Sequence, residues 1–184
     1  MTSEHDRRLF LQIARDAIVA HVTGAAASLP VAEPLTRPGA AFVTIHKRGE
    51  LRGCIGHIEP DEPLGRVIAR CAVAACSLDP RFPALAPGEL PHIDIELSLL
   101  TPLEPIAGPA DVEIGRHGLV VEKGPRRGLL LPQVAVEWNW DASTFLAQTC
   151  HKAGLPRDAW QQDARLWRFE AEVFGEPAEG GQGW

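Results

Sequence analysis

A chain of 184 residues, 45% hydrophobic and 23% charged, has ordinary globular composition and is long enough to bury a real core in one domain. Its formal net charge of -6 repels phosphate backbones and anionic lipid surfaces, so neither nucleic acid nor membrane is an expected partner. No apolar run approaches bilayer-spanning length and nothing at the N-terminus reads as an export signal, so a cytoplasmic location with four reduced cysteines is expected.

Ser3, with Asp6 three residues on, predicts a capped helix start. Leu9, Phe10, Ile13, Ala17, Ile18 and Ala20 recur at helical spacing up to a C-cap at Gly24. The stretch through Gly39, punctuated by Pro30, Pro34 and Pro38, reads as an extended loop. A hairpin follows, with Ala41–His46 going out, a turn at Lys47-Arg48-Gly49-Glu50, and Leu51–Ile55 returning. Pro63 opens a second helix whose Leu64, Val67, Ile68, Cys71, Ala75 and Leu78 face the core, with Cys76 on its flank.

Ile93, Ile95, Leu97 and Leu99 alternate with Asp94, Glu96 and Ser98, the pattern of a half-buried strand. Ala107–Gly128 is rich in glycine and charge and predicts a hairpin excursion, a possible small lobe near residues 103–128. Its basic turn, Lys123–Arg127, reads as solvated loop charge. Asp141 caps a helix carrying Phe145, Leu146, Thr149, Cys150 and Ala153, stopped by Gly154 and Pro156. A short helix near Trp160 precedes a last strand with Trp167, Phe169, Ala171 and Val173 on one face. Residues 177–184 read as a flexible tail. Helices and strands mix without strict βαβ alternation, so the expected class is α+β: a mixed or antiparallel sheet flanked by helices, in a single domain over residues 1–176 with a smaller β-rich lobe.

The segment from Leu51 to Pro60 carries the densest chemistry. Strand alternation places Arg52 and Cys54 on one face, where a guanidinium beside a thiol lowers its pKa and prepares a nucleophile. Gly53 and Gly56 weaken a strand interior, which points to close approach of a ligand or another backbone. His57 could move protons once the chain bends after Gly56, and Glu96 on its strand could pair with Arg52 or a substrate donor. Each has a plainer reading: a small buried thiol, a bulge at Gly-x-x-Gly, a carboxylate on a wet face. Cys71, Cys76 and Cys150 fall on packing faces. Cys54 and His57 have C-x-x-H spacing, but Cys150-His151 supplies no workable second pair, so no structural metal and no cofactor are expected.

Leu51-Arg52-Gly53-Cys54-Ile55-Gly56 resembles the signature of the AMMECR domain, protein A of the AmmeMemoRadiSam system. Supporting segments are Phe42-Val43-Thr44-Ile45, Asp79-Pro80-Arg81-Phe82-Pro83, Ile93 to Pro102, Leu130 to Ala135 and Cys150 to Leu155, so the resemblance runs from about Leu9 to Glu176. It implies an α+β fold with a larger and a smaller lobe. It also implies a setting beside a Memo-like protein related to extradiol dioxygenases and, often, a radical S-adenosylmethionine enzyme. It supplies no reaction. It supports Arg52, Gly53, Cys54 and Gly56, with Glu96 and the Cys150 segment as secondary positions. Two functions follow as expectations. One is a thiol-dependent enzyme or covalent carrier acting on a small metabolite, with Cys54 as nucleophile. The other is a non-catalytic subunit that docks the Memo-like protein.

Overall fold

Ser3 caps the first helix as its spacing predicts: its side chain accepts from the Asp6 N–H, and α1 runs Glu4–Thr23 to a left-handed Gly24. The computed structural model describes residues 2–26 and 32–176. Pro30 and the tail expected at 177–184 lie outside the described residues. The fold is α+β, and the chain divides into two compact units. The first holds residues up to Leu100 together with those from Glu172 on, and the second is Thr101–Ala171.

In the first unit β1 (Ala40–Lys47) and β2 (Glu50–His57) form the predicted hairpin, turning through Arg48 and Gly49, both at positive φ. β3 (Ile93–Leu100) pairs antiparallel with the other edge of β1. α2 (Leu64–Ser77) and α1 cover one face of this sheet. Phe10, Ile13, Ile18, Val43, Ile45, Val67, Ile68, Ile95 and Leu97 make a continuous core there. Each such side chain contributes about 1.5–3 kcal/mol when fully buried. Leu78, expected on the α2 stripe, is 71% exposed. The helix ends one residue earlier, and at φ -122° the Leu78 backbone leaves the geometry that would keep it on the apolar stripe.

In the second unit β5 (His117–Lys123) and β6 (Arg126–Leu130) form a hairpin, and β5 pairs with β7 (Arg165–Gly175), which also pairs with the short β4 (Glu104–Pro105). The excursion expected at 103–128 lies within this unit. The unit also takes in α3 (Pro132–Glu137) and α4 (Ala142–Lys152), the latter capped by Asp141 as predicted. Phe145, Leu146, Cys150, Leu119, Val121 and Leu166 form its core. The last strand does not keep one inward face. Leu166 and Phe169 are both buried, Val173 is exposed, and Phe174 packs against the first unit's core. β7 contributes residues 165–171 to one unit and 172–175 to the other, so a single alternation cannot describe it. The basic turn is paired locally: Lys123 with Asp163, and Arg126 with the Gly154 carbonyl. Among the described residues no helix is long and apolar enough to cross a membrane.

Candidate functional site

Cys54 is placed by the register of β1, the central strand of the first sheet. Thr44 lies opposite Cys54 on one side and opposite Glu96 on the other. Directly opposed residues share a face with Cβ atoms about 5 Å apart. Cys54, Thr44 and Glu96 therefore form one cross-strand row on the face turned away from α1 and α2. The Thr44 hydroxyl donates to the Cys54 sulfur at 3.3 Å. A cleft of about 280 Å³, lined by His46, Asp94 and Glu96 among others, opens at the Glu96 end of the row.

The loop after α2 supplies a buried support. Asp79 has a side chain only 2% exposed. Its carboxylate accepts the Cys54 backbone N–H at 2.9 Å and three N–H groups of Arg81: the backbone at 3.1 Å, Nε at 3.0 Å and Nη2 at 2.7 Å. These bonds hold the Asp79 carboxyl far below the usual carboxylate range. Arg81 also reaches the Cys54 carbonyl at 3.5 Å and stands over the Phe82 ring at 5.4 Å.

Arg52 does not do what strand alternation predicts. His46 faces Leu51 and Ile45 faces Gly53, so Arg52 is the extra residue of a β-bulge, with no partner on β1. Its guanidinium bonds Glu89 at 3.2 and 3.1 Å, sharing that carboxylate with Lys47 at 2.7 Å. These donors and the Ala86 N–H hold Glu89 down to about 2. The cation beside Cys54 is Arg81. The expected lowering of the thiol pKa is also overturned, because burial pushes Cys54 up. The Thr44 bond and the Arg81 charge pull the other way, and Asp79 and Glu96 add to the rise.

His57 lies on the opposite face of β2 from Cys54, and its Nε2 stands 2.7 Å from Asp61 Oδ1. The two do not form a nucleophile–base pair or a metal-ligand pair. His57, Asp61 and Glu62 bring ligand atoms within 4.8 Å of one another and could hold a cation, although Glu62 is already bonded by Arg70 at 2.8 Å. The glycines serve packing. A Cβ on Gly53 would stand 2.2 Å from the Ala75 carbonyl oxygen of α2, and one on Gly56 would stand 2.3 Å from the Phe42 ring. The close approach expected at Gly53 is that of another backbone.

Cys54 is half-buried, whereas Cys71, Cys76 and Cys150 are buried. Burial raises all three of those thiols, Cys71 to about 11. Sequence reasoning missed Thr44, Asp79 and Arg81 as site residues. A tight hairpin turn brings Thr44 close to Cys54, but the register needs the bulge. Asp79 and Arg81 sit in a loop that the family resemblance covers, through Asp79-Pro80-Arg81-Phe82-Pro83, without giving either residue a role.

An antiparallel sheet with two helices on one face and this polar row on the other defines an α+β protein that carries the Leu51–Gly56 segment on an edge strand. The chain belongs to the AMMECR1 family, whose model matches residues 11–174. It is similar to a protein of Methanothermobacter thermautotrophicus at 46% identity, covering 95% of this chain and 96% of the relative. It is similar to one of Aeropyrum pernix at 44% identity, covering 93% and 79%. Among solved structures it resembles the uncharacterized protein PH0010 of Pyrococcus horikoshii, with a TM-score of 0.85 at 40% identity over 94% of this chain and 92% of that one.

Proposed function

We propose that this AMMECR1-family protein is a thiol-dependent enzyme or covalent-carrier component acting on a small metabolite, with Cys54 as nucleophile. The observation that carries the reading is the Cys54–Thr44–Glu96 row. It holds the one thiol of the four that is not buried, a hydroxyl bonded to its sulfur, and a carboxylate with no hydrogen-bond or ion-pair partner among the described residues. The sulfur forms a bond to an electrophilic carbon of the substrate as that carbon's bond to its leaving group breaks, and the thiol proton goes to solvent or to Glu96. Burial raises this thiol, and the Thr44 bond and the Arg81 charge pull it back toward the thiolate, the form that reacts. The family resemblance adds a Memo-like protein and a radical S-adenosylmethionine enzyme as the proposed working partners.

Metabolite profiling of a Cys54→Ser strain against wild type tests this without a guess at substrate. The reading expects a small metabolite to accumulate or disappear while the variant protein stays folded. An unchanged profile with normal protein levels contradicts it. One feature favours the alternative, a docking subunit. An apolar groove of about 630 Å³ runs between α1 and α2, lined by Ile13, Ala17, Ala20, Val73, Ala74 and the exposed Leu78. A changed profile on Leu78→Asp but not on Cys54→Ser would select that reading.

A further inference from the structure

Arg81 is held as a fixed cation beside the reactive sulfur. One edge of its guanidinium, Nε and Nη2, is clamped by Asp79, and Nη2 also reaches the Cys54 carbonyl. Nη1 has no protein partner among the described residues, and the side chain is 54% exposed. The ring of Phe82 lies beneath it. The clamp is not a competing anion for a ligand, because Asp79 is 2% exposed and its oxygens face the Arg81 and Cys54 donors. Nearby, Lys47 and Arg52 share the single carboxylate of Glu89, which leaves that cluster one net positive charge. A guanidinium whose rotamers are frozen by a buried partner loses little entropy when it binds a second carboxylate through its free N–H groups.

We propose that Arg81 is the substrate anchor of the Cys54 site, and that the substrate is a small electrophile bearing a carboxylate, received by Nη1 while its reactive carbon meets the Cys54 sulfur. This rests on the reading of Cys54 as a nucleophile and names the substrate class that reading leaves open. Glu96, at the other end of the row from the cation, then serves the proton and not the anion.

Two alkylating agents of nearly equal size separate the claims. Iodoacetate carries a carboxylate and iodoacetamide does not. In both, the thiol sulfur displaces iodide from the CH2 carbon and the thiol proton goes to solvent or Glu96. The rate of Cys54 labelling by each is read by peptide mass spectrometry, with N-acetylcysteine as the free-thiol reference. The expected result is an iodoacetate-to-iodoacetamide rate ratio at Cys54 at least about 3-fold above the reference, falling to the reference in Arg81→Met and partly kept in Arg81→Lys, on the scale of one charge-assisted bond. Because the ratio cancels any change in thiolate fraction, a purely structural role for Arg81 does not move it. Should Arg81→Met fail to fold, protection of wild-type Cys54 from iodoacetamide by millimolar acetate gives the same answer. Equal ratios in wild type and variant, or no protection by acetate, overturn the anchor and leave the nucleophile standing. Labelling of Cys54 by neither reagent removes the nucleophile itself.

Discussion

The two faces of the first sheet are built from the same strands and differ in what they present: a buried apolar core on one and a polar row on the other. On the helix-covered face Val43, Ile45, Ile95 and Leu97 are fully buried, and Gly53 is glycine because the α2 backbone passes where a side chain would be. On the other face, one residue along each strand, stand Thr44, Cys54 and Glu96. Period-2 alternation thus keeps the packed core and the polar row apart by a single step in sequence. A substitution at Gly53 and one at Cys54 are adjacent in the chain and test different things.

The largest effect is expected from Gly53→Ala. Its Cβ would stand 2.2 Å from the Ala75 carbonyl oxygen, a backbone atom that cannot step aside without moving α2. We expect a loss of about 3 kcal/mol, at the upper end of overpacking costs, in urea melts. Asp79→Asn comes next, at roughly 2 kcal/mol, because hydrogen bonds to a charged acceptor are among the stronger ones and this carboxylate accepts four. Cys71→Ser puts a hydroxyl into the helix-side core and should cost roughly 1–3 kcal/mol. Cys54→Ser, on the half-buried polar face, should stay within about ±0.5 kcal/mol. If Cys54→Ser proves the more damaging of the two cysteine changes, the faces do not divide as described.

Acid sharpens the same contrast. Glu89 has a folded pKa depressed to about 2 by Arg52, the Ala86 N–H and Lys47. A depressed carboxylate contributes stability that is present above its unfolded value, near 4.5, and is lost as pH falls toward 2. Asp79 shifts in the same direction and its contribution is lost at still lower pH. Stability against urea should therefore fall between about pH 4.5 and 2, and Glu89→Gln should flatten the upper part of that fall.

Much of this was legible in the sequence. Ser3, Gly24, Asp141 and Gly154 mark helix ends by local chemistry, and the Ile93–Leu99 alternation gives β3 and its burial as far as Leu97, beyond which Ser98 is buried and Leu99 only half-buried. What failed depended on partners distant in sequence. Arg52 shares strand parity with Cys54, but the bulge that leaves it unpaired is a property of two strands together. His57 follows Cys54 by three residues and so lands on the other face. Thr44 meets Cys54 only because the bulge shifts the register by one: counting back from the Arg48-Gly49 turn without it would set Thr44 against Gly53. Asp79 and Arg81 act across a loop, where no periodicity speaks. Leu78 failed for a smaller reason, since a helical stripe cannot be extended past the last helical residue.

Whether Cys54 is the working thiol is decided by brief, sub-stoichiometric iodoacetamide labelling with site-resolved mass spectrometry. Run across a pH series, it should mark Cys54 before Cys71, Cys76 and Cys150, with a midpoint above that of a free cysteine because burial raises this thiol. Arg81→Met should move the midpoint higher still, since the Arg81 charge favours the thiolate. Preferential labelling of Cys71 or Cys150, or labelling of Cys54 no faster than the buried three, would show that Cys54 is not the working thiol.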